Sequence, residues 1–287
     1  MKVSKSIDGG SLTGYGCGGR VDKLIEVETR QELSQIFKES AKRGDEVSVI
    51  GGGYNTLIGP GGVRGILLKL AGEFSLIKVN GENLIAGAGA RNSELIAVAV
   101  DSGLSGVEFL SGIPGTVGGT VRGNAGSGQE SVGGRLVEIE CFDGEKFIRL
   151  TDLKNSFSYR KFNLPSGYLI TEAVFSLDKS SPEIVGNDIA SRIANKKKTQ
   201  PFGQNCGSVF KNPPDSSAWE LIDAAGFRGY SMGGARVSEK HTNFIECLPG
   251  ANEKDIWNLI KLIRKKVYDQ CGIKLSLEIQ LLGEGFD

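Results

Sequence analysis

Between Asp22 and Leu70 the spacing of apolar and polar positions changes period twice. "KLIEVE" alternates with period two and predicts a strand. "TRQELSQIFKESAKRG" sets Leu33, Ile36, Phe37 and Ala41 on one helical face, with Thr29 as N-cap and Gly44 just past the end. The apolar run "VSVI" predicts a buried strand opening into the glycine turn "GGGYNTLI", and "GGVRGILLKL" supplies a further strand. From Glu73 to Leu177 short strands dominate: "SLIKVN", "NLIAGAGA", "RLVEIECFD", "KFIRL" and "YLITEAVFSL". One helix, "NSELIAVAVDSG", interrupts them, with Asn92 as its expected cap and an end near Gly103. After the helix "PEIVGNDIASRIANKKK", the last region reads as helices in "AWELIDAAG" and "EKDIWNLIKLIRKKVYDQCG" and strands in "HTNFIEC" and "KLSLEIQLLG". The class is α+β, and the expected domains are residues 1–70, 71–198 and 199–287.

Composition narrows the function by exclusion. A chain of 287 residues buries roughly three quarters of its unfolded surface and needs no covalent staple. Formal net charge is zero and the pI about 6.7, so electrostatics argue for neither a nucleic-acid nor a membrane partner. The five cysteines are odd in number and contain no CxxC pair, which fits reduced thiols and no zinc. The N-terminus lacks the apolar run of a signal peptide, and no stretch approaches the ~20 apolar residues of a membrane span, so a cytoplasmic protein is expected.

Glycine changes the picture more. The 42 glycines are about twice the usual ~7% and fall in clusters. "GYGCGG", Gly14 to Gly19, satisfies G-x-G-x-x-G, but no strand is expected before it and no helix after it, so it is read as a decoy. "GGGYNTLI", from Gly51, follows a predicted strand, and its amides can point together at an anion. "SGIPGTVGGTVRGNAG", Ser111 to Gly126, supplies a second amide-rich loop, and two such loops in consecutive units suit a bridged pyrophosphate.

The polar candidates stay open on spacing alone. Arg160 in "FSYRKF" is either a surface ion pair or a bidentate clamp for a carboxylate or phosphate. Glu278 stands in the apolar "SLEIQLLGE": if its neighbours are buried, ionising it costs energy unless it is paired, and an outward-facing carboxylate is the alternative. Ser208 in "NCGSVFKNP" lacks both a G-x-S-x-G elbow and a well-supported histidine base, which leaves a helix cap or turn as the plain reading. Lys196 and Lys197 read as a solvated helix end, where positive charge suits the dipole.

Taken in order, "GGGYNTLI", "GVEFLSGIPGTVGGTVRGNAG", "FSYRKF", "KKKTQPFGQNCGSVFKNP", "AWELIDAAGFRG", "GGARVSEKHTNF" and "LEIQLLG" resemble the UDP-N-acetylenolpyruvoylglucosamine reductase family. The likeness runs from about Val21 to Gly283. The short connection between "FSYRKF" and "YLITEAVF" resembles the family's type II members, which lack a substrate-covering insertion. The resemblance implies an FAD-binding domain of the vanillyl-alcohol-oxidase type, in two α+β subdomains over residues 1–70 and 71–198, and a substrate-binding domain over 199–287 whose last strand returns toward the FAD domain. It implies non-covalent FAD, NADPH as co-substrate, UDP-N-acetylglucosamine enolpyruvate as substrate, and a monomer or weak oligomer.

By the same resemblance the flavin lies on Gly51, Gly52, Gly53, Tyr54, Asn55 and Thr56, on Gly89, and on Ser111, Gly112, Ile113, Pro114, Gly115, Gly118 and Gly119. Asn124, Ala125, Gly126 and Ile170 complete that set. Arg160 and Glu278 then polarise the substrate carboxylate and Ser208 gives a proton, a role for which a missing base is no defect. Glu278 can serve beside a carboxylate only if protonated or bridged by a cation. Tyr159, Lys198, Lys211, Asn212 and Lys240 are the implied ligands of the diphosphate or sugar. The rival readings are another non-covalent FAD oxidoreductase of the same fold and a nucleotide-sensing scaffold. The lone His241 lies far from both glycine loops, which argues against a histidyl-linked flavin.

Overall fold

Helix α1 (Arg30–Arg43) forms where the pattern places it, because both of its ends are closed by local chemistry. Thr29 Oγ1 accepts from the Glu32 amide at 3.2 Å while the Glu32 carboxylate accepts from the Thr29 amide at 3.3 Å. Such a cap contributes about 1 kcal/mol. Gly44 closes the other end at φ 69°, a conformation that costs a residue with a Cβ. The computed structural model describes residues 1–153 and 155–286, and its contacts separate two units. The first holds Met1–Ser4, Leu24–Gly52 and Gly65–Lys196; the second holds Lys5–Lys23, Gly53–Arg64 and the chain from Lys197.

Four strands form a sheet in the order Lys2–Ile7, Val21–Val27, Val63–Leu70, Val47–Val49. The last two run parallel, Val47 opposite Ile66. The pattern predicts a buried strand at Val47–Val49, yet this is the edge strand, and Val49 is 42% exposed. A short apolar run does not tell a central strand from an edge. The strand Lys2–Ile7 is not evident from the sequence because its side chains are mostly exposed and show no apolar face. It precedes "GYGCGG" after all, through a single turn at Gly9–Leu12, but a strand and not a helix follows, so the dinucleotide fingerprint still lacks its context.

The first unit is built on a five-stranded antiparallel sheet ordered Phe147–Leu150, Leu136–Phe142, Leu169–Ser176, Asn83–Gly87, Ile77–Asn80. One row of partners, Leu150, Ile139, Ala173, Ala86 and Ile77, crosses the whole sheet. Helices α2 (Asn92–Asp101) and α3 (Val117–Arg122) add Leu95, Ala99, Val117 and Val121 to its core. Helix α3 lies inside the glycine stretch that reads as all loop in the sequence. Arg91, not Asn92, is the cap residue of α2. Asn92 is buried as the first helical residue, and its amide donates to the Ile113 carbonyl (3.1 Å) and Thr120 Oγ1 (2.8 Å), tying α2 to the glycine stretch. Helix α4 (Pro182–Thr199) fully buries only Val185.

In the second unit, α5 (Ala218–Ala224) and α6 (Glu253–Cys271) join a three-stranded antiparallel sheet of Ser231–Met232, Ala235–Val237 and Ile245–Cys247. Helix α6 buries Ile256, Leu259, Ile260, Ile263 and Val267 at helical spacing, each contributing about 1.5–3 kcal/mol. The strands expected in "HTNFIEC" and "KLSLEIQLLG" pair regularly only at Ile245–Cys247 and at Gln280–Leu282, the latter parallel to Thr56–Ile58. Ahead of those runs the pairing thins to single bridges, Ser208 to Phe244 and Phe210 to Leu277. Among the described residues no helix is long and apolar enough to cross a membrane, and no cluster of histidine, cysteine and acidic side chains could hold a metal ion.

Candidate active site

In the first unit the two glycine loops meet. A Cβ on Gly51 would stand 2.5 Å from Thr116 Oγ1, so only glycine lets the turn after Val47–Val49 close on the residue that precedes α3. The Thr116–Gly118 corner is anchored from below, Val117 N–H to the Ala90 carbonyl (2.9 Å) and Gly118 N–H to the Ala88 carbonyl (2.8 Å). A Cβ on Gly115, at φ 125°, would meet no atom nearer than 3.9 Å, and one on Gly119 none nearer than 3.7 Å, so that side of the loop is open. Beside it the Ser111 hydroxyl is buried without a hydrogen-bond partner. A buried orphan hydroxyl next to an open glycine loop leaves a polar group and room for a phosphorylated cofactor, and the residues fit the pyrophosphate of a dinucleotide.

Other residues assigned to the flavin also have partners within the protein. Asn124, at φ 43°, donates to the Ser158 carbonyl (2.9 Å) and accepts from the Gly133 amide (3.0 Å). Ala125 accepts from Val132 N–H, Gly89 donates to the Phe74 carbonyl, and the Ile170 side chain is buried in the core. Tyr159 and Arg160 form the tip of the hairpin Phe157–Ser158 and Lys161–Phe162. Arg160 holds a left-handed φ of 53°, its Nη2 donates to the Gly126 carbonyl (2.9 Å), and its guanidinium stands 5.3 Å from the Tyr159 ring centre. The hairpin tip and the second glycine loop are thereby latched together.

Lys196 departs from the sequence expectation. It is not a solvated helix end: its Nζ is partly buried and donates to the Ser111 carbonyl at 2.6 Å. Burial, followed by the Arg192 and Arg160 charges, pushes its pKa down to about 8. Arg192 is itself held by Glu130 (2.7 Å) and Asp188 (2.8 Å). No local signal sets Lys196 apart from Lys197 and Lys198, which are exposed; only the helical phase of α4 does.

The second unit assembles Ser208 and Glu278 from three distant stretches. Asn205 Oδ1 accepts from the Gly207 amide at 3.0 Å, forming a turn, with Gly207 at φ 72°, that leads into an extended segment from Ser208. Ser208 caps no helix. The Glu278 amide donates to the Val209 carbonyl at 2.8 Å, and Lys211 N–H to the Ser276 carbonyl at 2.9 Å, so the segments that carry Ser208 and Glu278 lie side by side at the single bridge of Phe210 to Leu277. Asn55 joins them, its Nδ2 donating to the Glu278 carbonyl (3.1 Å) and its own carbonyl accepting from Gln280 N–H (2.8 Å). Gly53 and Thr56 carbonyls face the buried Cys206 thiol at 3.6 and 3.5 Å, and Tyr54 packs near Gly14.

Of the assigned substrate ligands, Lys240 donates to the Lys197 carbonyl at 2.5 Å and stands over Phe202. Asn212 Oδ1 accepts from the Ala218 amide at 3.0 Å, closing the start of α5. His241 sits beside Phe244 and Trp219, and its Nδ1 accepts from the Asn243 amide at 3.3 Å. Burial lowers its pKa, with the Arg228 charge acting in the same direction. The sequence reading passed over Asn243, which carries no catalytic chemistry of its own.

A family model described as "FAD binding domain" matches residues 21–144, and one described as "UDP-N-acetylenolpyruvoylglucosamine reductase, C-terminal domain" matches residues 198–282. With the α+β architecture and the open glycine loop, this defines an FAD-dependent oxidoreductase. The UDP-N-acetylenolpyruvoylglucosamine reductase of Geobacter metallireducens is 37% identical over 273 residues, covering 95% of this chain and 91% of the relative. That of Myxococcus xanthus is 39% identical over 280 residues, covering 95% and 90%. The crystal structure of the corresponding enzyme from Thermus caldophilus superposes with a TM-score of 0.87 at 34% identity, covering 98% of this chain and 99% of that one. The chain belongs to the UDP-N-acetylenolpyruvoylglucosamine reductase family.

Proposed function

We propose that this chain reduces UDP-N-acetylglucosamine enolpyruvate to UDP-N-acetylmuramate in peptidoglycan precursor synthesis, with NADPH as reductant. Family membership supports the reaction, and the hydrogen bond from the Glu278 amide to the Val209 carbonyl, which sets the segments of Ser208 and Glu278 side by side, is the observation that carries the catalytic assignment. Residues 1–70 and 71–198 hold FAD without a covalent link, through the loops at Gly51–Thr56 and Ser111–Gly119 and the turn at Asn124–Gly126. Residues 199–287 take the sugar nucleotide. Bound FAD supplies a hydride relay from NADPH to the enolpyruvyl methylene carbon.

The chain's own groups manage the charge that hydride addition creates. Breaking the carbon–carbon double bond leaves an electron pair on the adjacent carbon, delocalised into its carboxylate. Arg160 meets that carboxylate with two parallel N–H donors. Glu278 helps only in its protonated or cation-bridged form. Ser208 Oγ–H delivers the proton to carbon; an alkyl hydroxyl is a weak acid, but the enolate carbon is strongly basic and the hydroxyl is fixed in place. Tyr159, Lys198, Lys211, Asn212 and Lys240 hold the diphosphate and sugar.

Stopped flow on Ser208→Ala tests this. NADPH should bleach the flavin at the wild-type rate, while reoxidation by the enolpyruvyl substrate slows by about 10²–10⁴. Reoxidation at full speed removes Ser208 from the acid role.

A further inference from the structure

The segment that carries Ser208 is hydrogen-bonded on both sides, and on one side a single residue supplies nearly every contact. Asn243 is 4% exposed. Its Nδ2 donates to the Phe210 carbonyl at 2.8 Å and its Oδ1 accepts from the Phe210 amide at 2.9 Å. Its main-chain carbonyl accepts from the Val209 amide at 2.8 Å. Its own amide is spent on His241 Nδ1. A side-chain amide here does what the backbone of a paired strand would do, satisfying both polar groups of a buried residue where regular pairing is reduced to one bridge, Ser208 to Phe244. The turn that presents Asn243 is braced in turn by Ser238 N–H to the Phe244 carbonyl (2.9 Å) and Thr242 Oγ1 to the Trp219 carbonyl (2.5 Å).

We infer that Asn243 is a positioning residue for the reduction, fixing the Ser208 hydroxyl at the reacting carbon through its clamp on Val209 and Phe210. The inference rests on the acid role of Ser208. Proton transfer to carbon is sensitive to placement, since an error of about 1 Å can cost 10²-fold. The matched donor and acceptor that Phe210 meets both come from this one side chain. Leucine at 243 has the size and neither function. Aspartate keeps the acceptor and regains the donor only when protonated, which burial favours.

The experiment compares wild type, Ser208→Ala, Asn243→Leu, Asn243→Asp, the Ser208→Ala/Asn243→Leu double variant and Thr242→Val, each loaded with FAD. Asn243→Leu should reoxidise about 10–100-fold more slowly with KM nearly unchanged and flavin reduction by NADPH intact. The Phe210 amide, whose acceptor is the Asn243 side chain, should lose hydrogen-exchange protection. Asn243→Asp should regain rate as pH falls, Asn243→Leu should not, and the double variant should be no slower than Ser208→Ala. Thr242→Val loosens the same turn without touching Phe210 and should slow neither half-reaction selectively. Full-speed reoxidation in Asn243→Leu, or an additive loss in the double variant, overturns the positioning role while a slow Ser208→Ala keeps the acid role. Full-speed Ser208→Ala overturns the acid role, and the positioning inference with it. If Asn243→Leu fails to fold, the pH response of Asn243→Asp decides alone: a rate flat with pH overturns the inference.

Discussion

Ser208 and Arg160 are placed by opposite means. Ser208 lies on an extended segment bonded to Asn243 on one side and to Glu278 and Ser276 on the other, all through short main-chain or amide hydrogen bonds. Arg160 sits at a hairpin tip in a left-handed conformation, steadied by its bond to the Gly126 carbonyl and the face of Tyr159. The difference follows the distance dependence of the two proposed tasks. A proton donor must be held to within tenths of an ångström, whereas the attraction of a guanidinium for a carboxylate reaches further, and its two fixed donors bring the fork geometry with them on a longer, adjustable side chain.

The sharpest way to break this contrast is at Arg160 itself. Arg160→Lys keeps the charge and loses the fork, and substrate-driven flavin reoxidation should fall by tenfold or more, the worth of a charge-assisted hydrogen bond at about 1.5–3 kcal/mol. Near-normal reoxidation in stopped flow would make precise geometry unnecessary there. A smaller effect probes the backbone. Arg160→Gly should be more stable than Arg160→Ala by about 1–2 kcal/mol in urea unfolding, because only glycine adopts φ 53° freely. At ordinary positions the order is reversed.

Proton binding separates the two regions further, with the smallest effects. Lys196, its pKa pushed down to about 8, is charged at neutral pH and neutral above. Affinity for the FAD pyrophosphate at the Ser111 loop should therefore decline as pH rises through 8, and Lys196→Met should flatten that decline when the apoprotein is titrated with FAD. The sign for stability is opposite: the unfolded lysine keeps its proton to about 10.4, so relief of burial makes this group's contribution rise with pH between the two values. His241 works at the acid end. Its folded pKa is lowered, so the unfolded chain binds more protons and stability falls as pH drops below about 6.5. An imidazolium also cannot accept at Nδ1 from Asn243. Urea midpoints should drop less between neutral pH and about one unit below the ordinary histidine value in His241→Gln than in wild type.

Much of this is legible in the sequence, for identifiable reasons. Helices α1 and α6 announce themselves through period and caps, and Thr29 and Gly44 behave as their residue types dictate. The two glycine loops and the α+β class are likewise visible. Asn92 misleads because a residue one step inside a helix looks like a cap until its partners, Ile113 and Thr120, are known. Val47–Val49 misleads because apolar character does not report which side of a strand is covered. Lys196 is hidden among identical neighbours, and Asn243 is hidden because its work is hydrogen bonding to Phe210, 33 residues away along the chain. Such roles are tertiary and leave no local pattern.

The pairing of Thr56–Ile58 with Gln280–Leu282, and of Asn55 with Glu278 at a separation of 223 residues, also sets an order of events in the cell. Every segment of the first unit has been synthesised by Lys196, whereas the second cannot complete its pairing until residue 282 has left the ribosome. Its early strand must wait for that partner through most of translation, exposed to wrong ones for as long as synthesis takes. The long closure costs little at equilibrium, since loop entropy grows only logarithmically with length, and its burden falls on the time course of folding.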